Sequence, residues 1–173
     1  MVIVYTGDGK GKTTAAVGLA VRATGHGKKV IVIQFIKSPH RPYGEAKVLQ
    51  QLGIGVHQTG VGFTWTKTPT EHREALQKGW ALAKERVLSG EYDIVILDEL
   101  NVALAITSFP IDDVLPLQDV VHTLLNKPAH THVVVTGRGA KEDIIQLADL
   151  VTEMKEVKHY YHQGVQAMKG IDL

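Results

Sequence analysis

A three-layer α/β fold, with a mostly parallel sheet covered by helices on both faces, is what the apolar pattern of this chain predicts. Three observations carry that expectation. Short runs rich in Val and Ile recur at 2–5 (VIVY), 29–35 (KVIVIQF), 54–58 (IGVHQ), 93–97 (DIVIL), 132–136 (HVVVT) and, less regularly, 150–157. Several are continuously apolar rather than alternating, as strands buried on both faces are. Helical patterns fill the intervals, and strands alternating with helices build a parallel sheet.

The elements follow in order. The first strand runs into GDGKGKTT and then an alanine-rich helical pattern that Gly25 and Gly27 end. Residues 38–43 (SPHRPY) match no functional pattern, and His40 and Arg41 are read as solvated. Thr68-Pro69-Thr70-Glu71 has the spacing of a capping box with Pro at the first helical position. Leu76, Trp80, Ala83 and Val87 then form one stripe of that helix. Pro116 opens another helix, because Leu117, Val120, Val121, Leu124 and Leu125 form a stripe that stops near Asn126 and Pro128. No linker rich in Pro, Ser or Gly interrupts the chain, so residues 1–173 are expected to form a single domain.

Composition narrows the function. A chain of 173 residues can bury about 70% of its unfolded surface without disulfide or metal staples. Nineteen basic against eighteen acidic residues give a formal charge of +1, without the basic excess that marks a nucleic-acid domain. The longest apolar runs, such as VIVIQFI at 30–36, fall far short of the ~18 residues of a membrane span. Met1 leads straight into a strand without a signal peptide, and the chain has no cysteine. A cytoplasmic protein that binds neither nucleic acid nor membrane is the expectation.

The glycine-rich loop carries the chemistry. Between a strand and a helix, glycines let backbone N–H groups turn inward around phosphate oxygens, while the helix N-terminus adds its positive end. The candidate nucleotide-binding residues are Gly7, Asp8, Gly9, Lys10, Gly11, Lys12, Thr13 and Thr14. Lys12 supplies a mobile cation, and the Thr13 hydroxyl is placed to ligate Mg²⁺. The spacing is unusual. A common phosphate loop has glycine five places before Gly11, where this chain has Thr6, so the loop is tighter or begins on a non-glycine.

Two further strand ends complete the candidate site. DIVILDEL puts Asp98 and Glu99 at the carboxyl end of an apolar strand, where ligands bind in open α/β sheets and where a second anchor for Mg²⁺ stands. VVVTGRG ends another strand with Arg138, which can neutralise a phosphate or pair with an acid. Arg22, ten residues after Lys12, is a candidate for the phosphate tail or for a surface salt bridge. Residues 60–66 (GVGFTWT) set Phe63 and Trp65 on a glycine-hinged loop, where they either pack in the core or face a flat apolar ligand. His159-x-x-His162 lacks nearby acids and is not read as a zinc site.

GDGKGKTTAAVGLAVRATGHGKKVIVIQFIK, GVGFTW, ILDELN, VVVTGRG and VKHYYHQGVQAMKGID together resemble the ATP:corrinoid adenosyltransferases, in the same order and over almost the whole chain. The resemblance implies a RecA-like P-loop fold that seats ATP in reverse, with the triphosphate in the loop and the ribose C5′ turned outward. It implies Gly7 to Thr13, Lys12 and the Thr13 hydroxyl around the triphosphate, and Glu99 at Mg²⁺ with Asp98 beside it. Phe63 and Trp65 match the pair that displaces the lower axial ligand of the corrinoid, so that Co(II) is reducible to Co(I). A flavodoxin-like or other reductase as electron donor and a homodimer also follow from it. Some relatives cover the site with a segment before the first strand, so closure here is expected to be looser or supplied by a second subunit. Two other readings share parts of the pattern. One is an ordinary P-loop kinase, which the irregular loop and the absence of Cys-x-x-Cys pairs oppose; the other is a nucleotide-gated corrinoid-binding module without turnover.

Overall fold

The computed structural model describes residues 1–40, 43–62 and 67–172. Along the chain run β1 (Val2–Thr6), α1 (Lys12–Gly25), β2 (Val30–Gln34), α2 (Gly44–Gln51), β3 (Gly55–Gln58), α3 (Pro69–Leu88) and β4 (Ile94–Asp98). Then follow α4 (Leu100–Leu104), α5 (Leu117–Leu125), β5 (His132–Thr136), α6 (Glu142–Leu147), β6 (Leu150–Glu153) and a 3-10 turn at Tyr160–Gln163. The six strands form one sheet in the order β3-β2-β4-β5-β1-β6. Every pairing is parallel, so the sheet is more uniform than expected.

The continuous apolar runs have a direct explanation. Alternate residues of each central strand feed two separate cores. Val2, Val4, Ile31, Ile33, Val95, Leu97, Val133 and Val135 meet α3 and α5 on one face. Ile3, Val30, Val32, Ile94, Ile96 and Val134 meet α1 on the other. A strand side chain points to alternate faces, and here both faces are covered, so the buried polar residues of these strands, Thr6, Gln34, Asp98 and Thr136, stand at their carboxyl ends. The helix α1 buries Ala16, Ala20 and Ala23 in its core, small side chains that let it lie close to the sheet, with Val17 and Leu19 partly buried against them.

Local signals behave as their chemistry requires. Thr68 and Glu71 form the reciprocal capping box, with Glu71 N–H donating to Thr68 Oγ at 3.2 Å and Thr68 N–H donating to Glu71 at 2.9 Å. The stripe Leu76, Trp80, Ala83 and Val87 is buried, and the Trp80 indole N–H donates to Asp119 of α5 at 2.7 Å. Pro116 caps α5, whose bounds match the predicted stripe. The helices α2, α4 and α6 were not foreseen; they span eight, five and six residues, too few for a periodic stripe. The last strand stops at Glu153 rather than continuing to 157, because β6 is a sheet edge and its partner β1 ends at Thr6.

This topology builds the site. From β1 the chain crosses to β2 and on to β3, then reverses and fills β4, β5 and β6 toward the other edge. Ligands of such sheets lie at the carboxyl ends of the strands where the order reverses. Because β5 separates β1 from β4, three strand ends converge there: the glycine loop, Thr136-Gly137-Arg138, and Asp98-Glu99.

Candidate functional site

The glycine loop is shaped by what lies behind it. Thr6 remains strand, paired with Glu153, and its C=O accepts the N–H of Met154 at 2.8 Å. That is why the position needs no glycine: Thr6 is still part of β1, and the chain turns after it. Beyond it, Gly9 N–H donates to Met154 C=O at 2.6 Å. A Cβ on Gly7 would sit 2.5 Å from that carbonyl oxygen and one on Gly9 would sit 2.7 Å from it. Gly7 also has φ 91 and Gly11 φ 121, conformations that side chains disfavour. The glycine spacing is therefore set by the chain leaving β6 as much as by any ligand.

The Lys12 ammonium is folded into this loop and donates to the carbonyls of Gly7 and Gly9, both at 2.6 Å. Burial, then the neighbouring Arg138 guanidinium, pushes its pKa down, against the pull of Glu99 and Asp8. The first N–H groups of α1 have no intrahelical acceptor, so they and the positive helix end face the same space.

At the end of β4 the two acids take different places. Asp98 is 1% exposed and saturated. Its Oδ1 accepts from the hydroxyls of Thr13 and Thr136, both at 2.8 Å, and its Oδ2 accepts from Gln34 at 3.0 Å and pairs with Lys37 at 3.0 Å. Lys37 also pairs with Glu45 at 2.9 Å. Burial works against its charge, but the two carboxylates outweigh burial and raise its pKa. Glu99 stands in the left-handed region at φ 62, where its N–H donates to Thr136 Oγ at 3.0 Å. Its carboxylate makes no hydrogen bond to another described residue and lines the cleft. Burial, then Asp98, raises its pKa, opposed by Lys37, Lys12 and Arg138.

These parts enclose a cleft of about 570 Å³. Gly9, Lys10, Gly11, Lys12, Thr13, Thr14, Glu99 and Arg138 line it, together with Lys37 and Tyr43 from the β2–α2 connection and Glu45 from the first turn of α2. The C-terminal arm closes one side through His159, Gly170, Ile171 and Asp172. Asp172 accepts from Lys10 Nζ at 2.6 Å, from Met168 N–H at 2.7 Å and from the Tyr160 hydroxyl at 2.5 Å, contacts that hold its carboxyl well below the usual range.

The structure thus gathers the loop, Thr13, Glu99 and Arg138 at one cleft, with Asp98 behind its wall rather than beside Glu99. Arg138 also donates to the Asp8 carbonyl at 3.3 Å, while the Asp8 side chain is exposed and outside the cleft lining. Arg22 is corrected. It sits exposed in the last turn of α1, ten residues and about 15 Å along the helix from Lys12, so the helix carries it away from the glycine loop. Phe63 and Trp65 lie outside the described residues. The chain leaving β3 is held beside β2 and Lys37 at residues 59 and 60, where Thr59 N–H donates to the Gln34 carbonyl and Gly60 N–H to the Lys37 carbonyl, both at 3.0 Å. An acid does lie near the histidine pair, for His162 meets Glu156 at 2.6 Å. Gln34, Lys37, Glu45 and Asp172 were missed; the one available signal was a polar Gln34 and a Lys37 inside VIVIQFIK.

The donor set fits Mg²⁺. The Thr13 hydroxyl gives its proton to Asp98, leaving its lone pairs available, and the Glu99 carboxylate is uncommitted. Among the described residues no group of three His, Cys, Asp or Glu side chains gathers to cage a metal. That matches the habit of Mg²⁺, which takes one or two protein carboxylates and completes its shell with phosphate and water.

Comparison with known proteins gives the family. The family described as ATP:corrinoid adenosyltransferase BtuR/CobO/CobP matches residues 1–173. The corrinoid adenosyltransferase of Escherichia coli (strain K12) is 45% identical over 99% of this chain and 85% of its own length. Corrinoid adenosyltransferase CobA of Salmonella typhimurium is 44% identical over the same shares, and the corrinoid adenosyltransferase of Pseudomonas aeruginosa is 39% identical over 99% of this chain and 83% of its own. With the glycine loop, its lysine and the cleft-facing glutamate all within the matched length, the chain belongs to the ATP:corrinoid adenosyltransferase BtuR/CobO/CobP family.

Proposed function

We propose that this protein transfers the 5′-deoxyadenosyl group of ATP to the cobalt of a reduced corrinoid and releases triphosphate, in the formation or salvage of adenosylated cobalamin. The observation that carries the reading is a loop-and-lysine cradle with an uncommitted glutamate opposite it, in a chain matched along its length by this family. Backbone donors from Gly7 to Thr14 hold the triphosphate, with Arg138 at its rim. Lys12 leaves its two carbonyls to meet phosphate oxygens, exchanging neutral acceptors for charged ones. Thr13 and Glu99 hold Mg²⁺, and Asp98 orients the Thr13 hydroxyl. When bound there, Mg²⁺ neutralises charge on the leaving phosphate oxygens.

The chemistry asks the protein for orientation rather than for a base. The Co(I) electron pair attacks C5′, the C5′–O bond breaks with its electrons leaving on triphosphate, and a cobalt–carbon bond forms, so no proton is transferred. Seating ATP with its phosphates in the loop and C5′ outward holds the reacting carbon toward cobalt. Phe63 and Trp65 exclude an axial donor from Co(II), which eases the one-electron reduction by a reductase or flavodoxin-like partner. The protein is proposed to act as a cytoplasmic homodimer; no described helix is long and apolar enough to cross a membrane.

Phosphorus NMR of an anaerobic reaction with ATP, Mg²⁺ and reduced corrinoid tests this. Intact triphosphate alongside an alkyl-cobalt spectrum is expected; ADP and phosphate without a carbon–cobalt bond would instead mean a kinase or ATPase. Tight corrinoid binding without product would mean a binding module. Phe63→Ala and Trp65→Ala should lose activity with Co(II) corrinoid and keep most of it with chemically generated Co(I). Equal loss with both would assign the rings to packing.

A further inference from the structure

Two adjacent carboxylates at the end of β4 are by themselves an attractive place for a divalent cation, yet a third group already occupies one of them. Lys37 reaches Asp98 by an unusual path. Ile36, a non-glycine residue at φ 65, turns the chain sharply out of β2, and Lys37 N–H donates to the Phe35 carbonyl at 2.6 Å. The turn is braced from behind: Gly60 N–H donates to the Lys37 carbonyl, and a Cβ on Gly60 would fall 2.1 Å from the Ile36 carbonyl carbon. The ammonium so delivered lies 3.0 Å from Asp98 Oδ2 and 2.9 Å from Glu45, with the Tyr43 ring centroid at 5.0 Å, and it lines the cleft. Lys37 is matched by two carboxylates, so it is poorly suited to act as a free phosphate cation.

We propose that Lys37 is a positioning residue, a resident cation that occupies the Asp98 carboxylate so that a divalent metal is accepted at Thr13 and Glu99 only together with triphosphate. This rests on the proposed role of Thr13 and Glu99. With Lys37 in place the acid pair is half neutralised, and Lys12 and Arg138 oppose a second cation from the loop side. Triphosphate reverses that balance by adding several negative charges. Without Lys37, Asp98 behind Thr13 and Glu45 beside it both lose their cation, and metal should enter unaided.

Titration of nucleotide-free protein with Mn²⁺, followed by the electron paramagnetic resonance of free Mn²⁺, reads this without turnover. Lys37→Met should bind Mn²⁺ about tenfold or more tightly than the parent, and Lys37→Arg should match the parent. A non-hydrolysable ATP analogue should tighten Mn²⁺ strongly in the parent and much less in Lys37→Met. Circular dichroism checks the fold, and Lys37→Gln serves if the Met variant does not fold. Unchanged Mn²⁺ affinity in a folded, uncharged variant would overturn the proposal. Adding Glu99→Gln to Lys37→Met should abolish the gain. A gain that persists would overturn the Glu99 assignment beneath it, independently of whether triphosphate is the reaction product.

Discussion

The ends of β1 and β4 face each other across β5, yet they are held by different physics. The β1 end is backbone against backbone: Gly7 and Gly9 lie so close to Met154 that no side chain fits, and Gly9 N–H bonds its carbonyl. The β4 end is side chain against side chain: four donors from Thr13, Thr136, Gln34 and Lys37 fill both oxygens of Asp98. Shape governs the first, and it tolerates no added atom. Charge governs the second, and isosteric changes should retune it while keeping the fold.

The largest effect should come from the buried lysine of the backbone-built half. Lys12→Ala should abolish turnover and weaken ATP binding by about 2–3 kcal/mol, as loss of a charge-assisted hydrogen bond does. Calorimetric titration and a turnover assay read it, and near-normal activity would remove the loop from the mechanism. Next is Gly9→Ala, which changes no functional side chain. It should cost roughly 1–3 kcal/mol of stability in urea denaturation, through forced separation of the loop from Met154, and lower ATP affinity as well. An unperturbed variant would show that the close approach to β6 does not govern the loop.

Glu99→Gln tests the charge-built half. Glu99 has its pKa raised above the ordinary 4.5 by burial and Asp98, so the folded state favours its neutral form. The contribution of Glu99 to stability is fullest below pH 4.5 and is lost as pH rises through the raised value. The Gln variant escapes that decline. It should therefore melt at an equal or higher temperature than the parent at pH 7, with the difference vanishing below pH 4.5, while requiring more Mg²⁺ for activity. An unchanged Mg²⁺ requirement would place the metal elsewhere. The smallest effect is expected from Asp172→Asn, which loosens the arm from Lys10 in a solvent-screened pair. A few-fold change in ATP affinity without loss of fold would mark the arm as a wall of the cleft, and no change would mark it as a bystander.

How much was legible depends on whether a signal was local. The central strands, α1, α3 and α5 were readable because each carries a repeating apolar pattern or a cap within its own length. Glu99 and Lys12 were readable because their chemistry follows directly from a strand, a loop and a helix in sequence. The network around Asp98 was not. Gln34 at the end of β2, Lys37 in the connection after it and Glu45 in the first turn of α2 join it from more than fifty positions upstream, and only the neighbouring of β2 and β4 brings them together. Arg22 was misplaced for the converse reason: it is near Lys12 in sequence, but helix rise moves it away.

The sequence by itself determined the layer architecture, the position of the glycine loop between β1 and α1, and the family, since hydrophobic period and a contiguous motif are properties of short stretches of chain. Tertiary structure alone decided which acid faces the cleft and why the loop is tight. Asp98 and Glu99 are neighbours with the same chemistry, and their difference arises from donors that converge on Asp98 from three other segments. The glycines at 7 and 9 are demanded by Met154, a residue about 145 positions away that lies against them only because β6 pairs with β1. Burial and electrostatics act through space, and the order of the strands sets those distances.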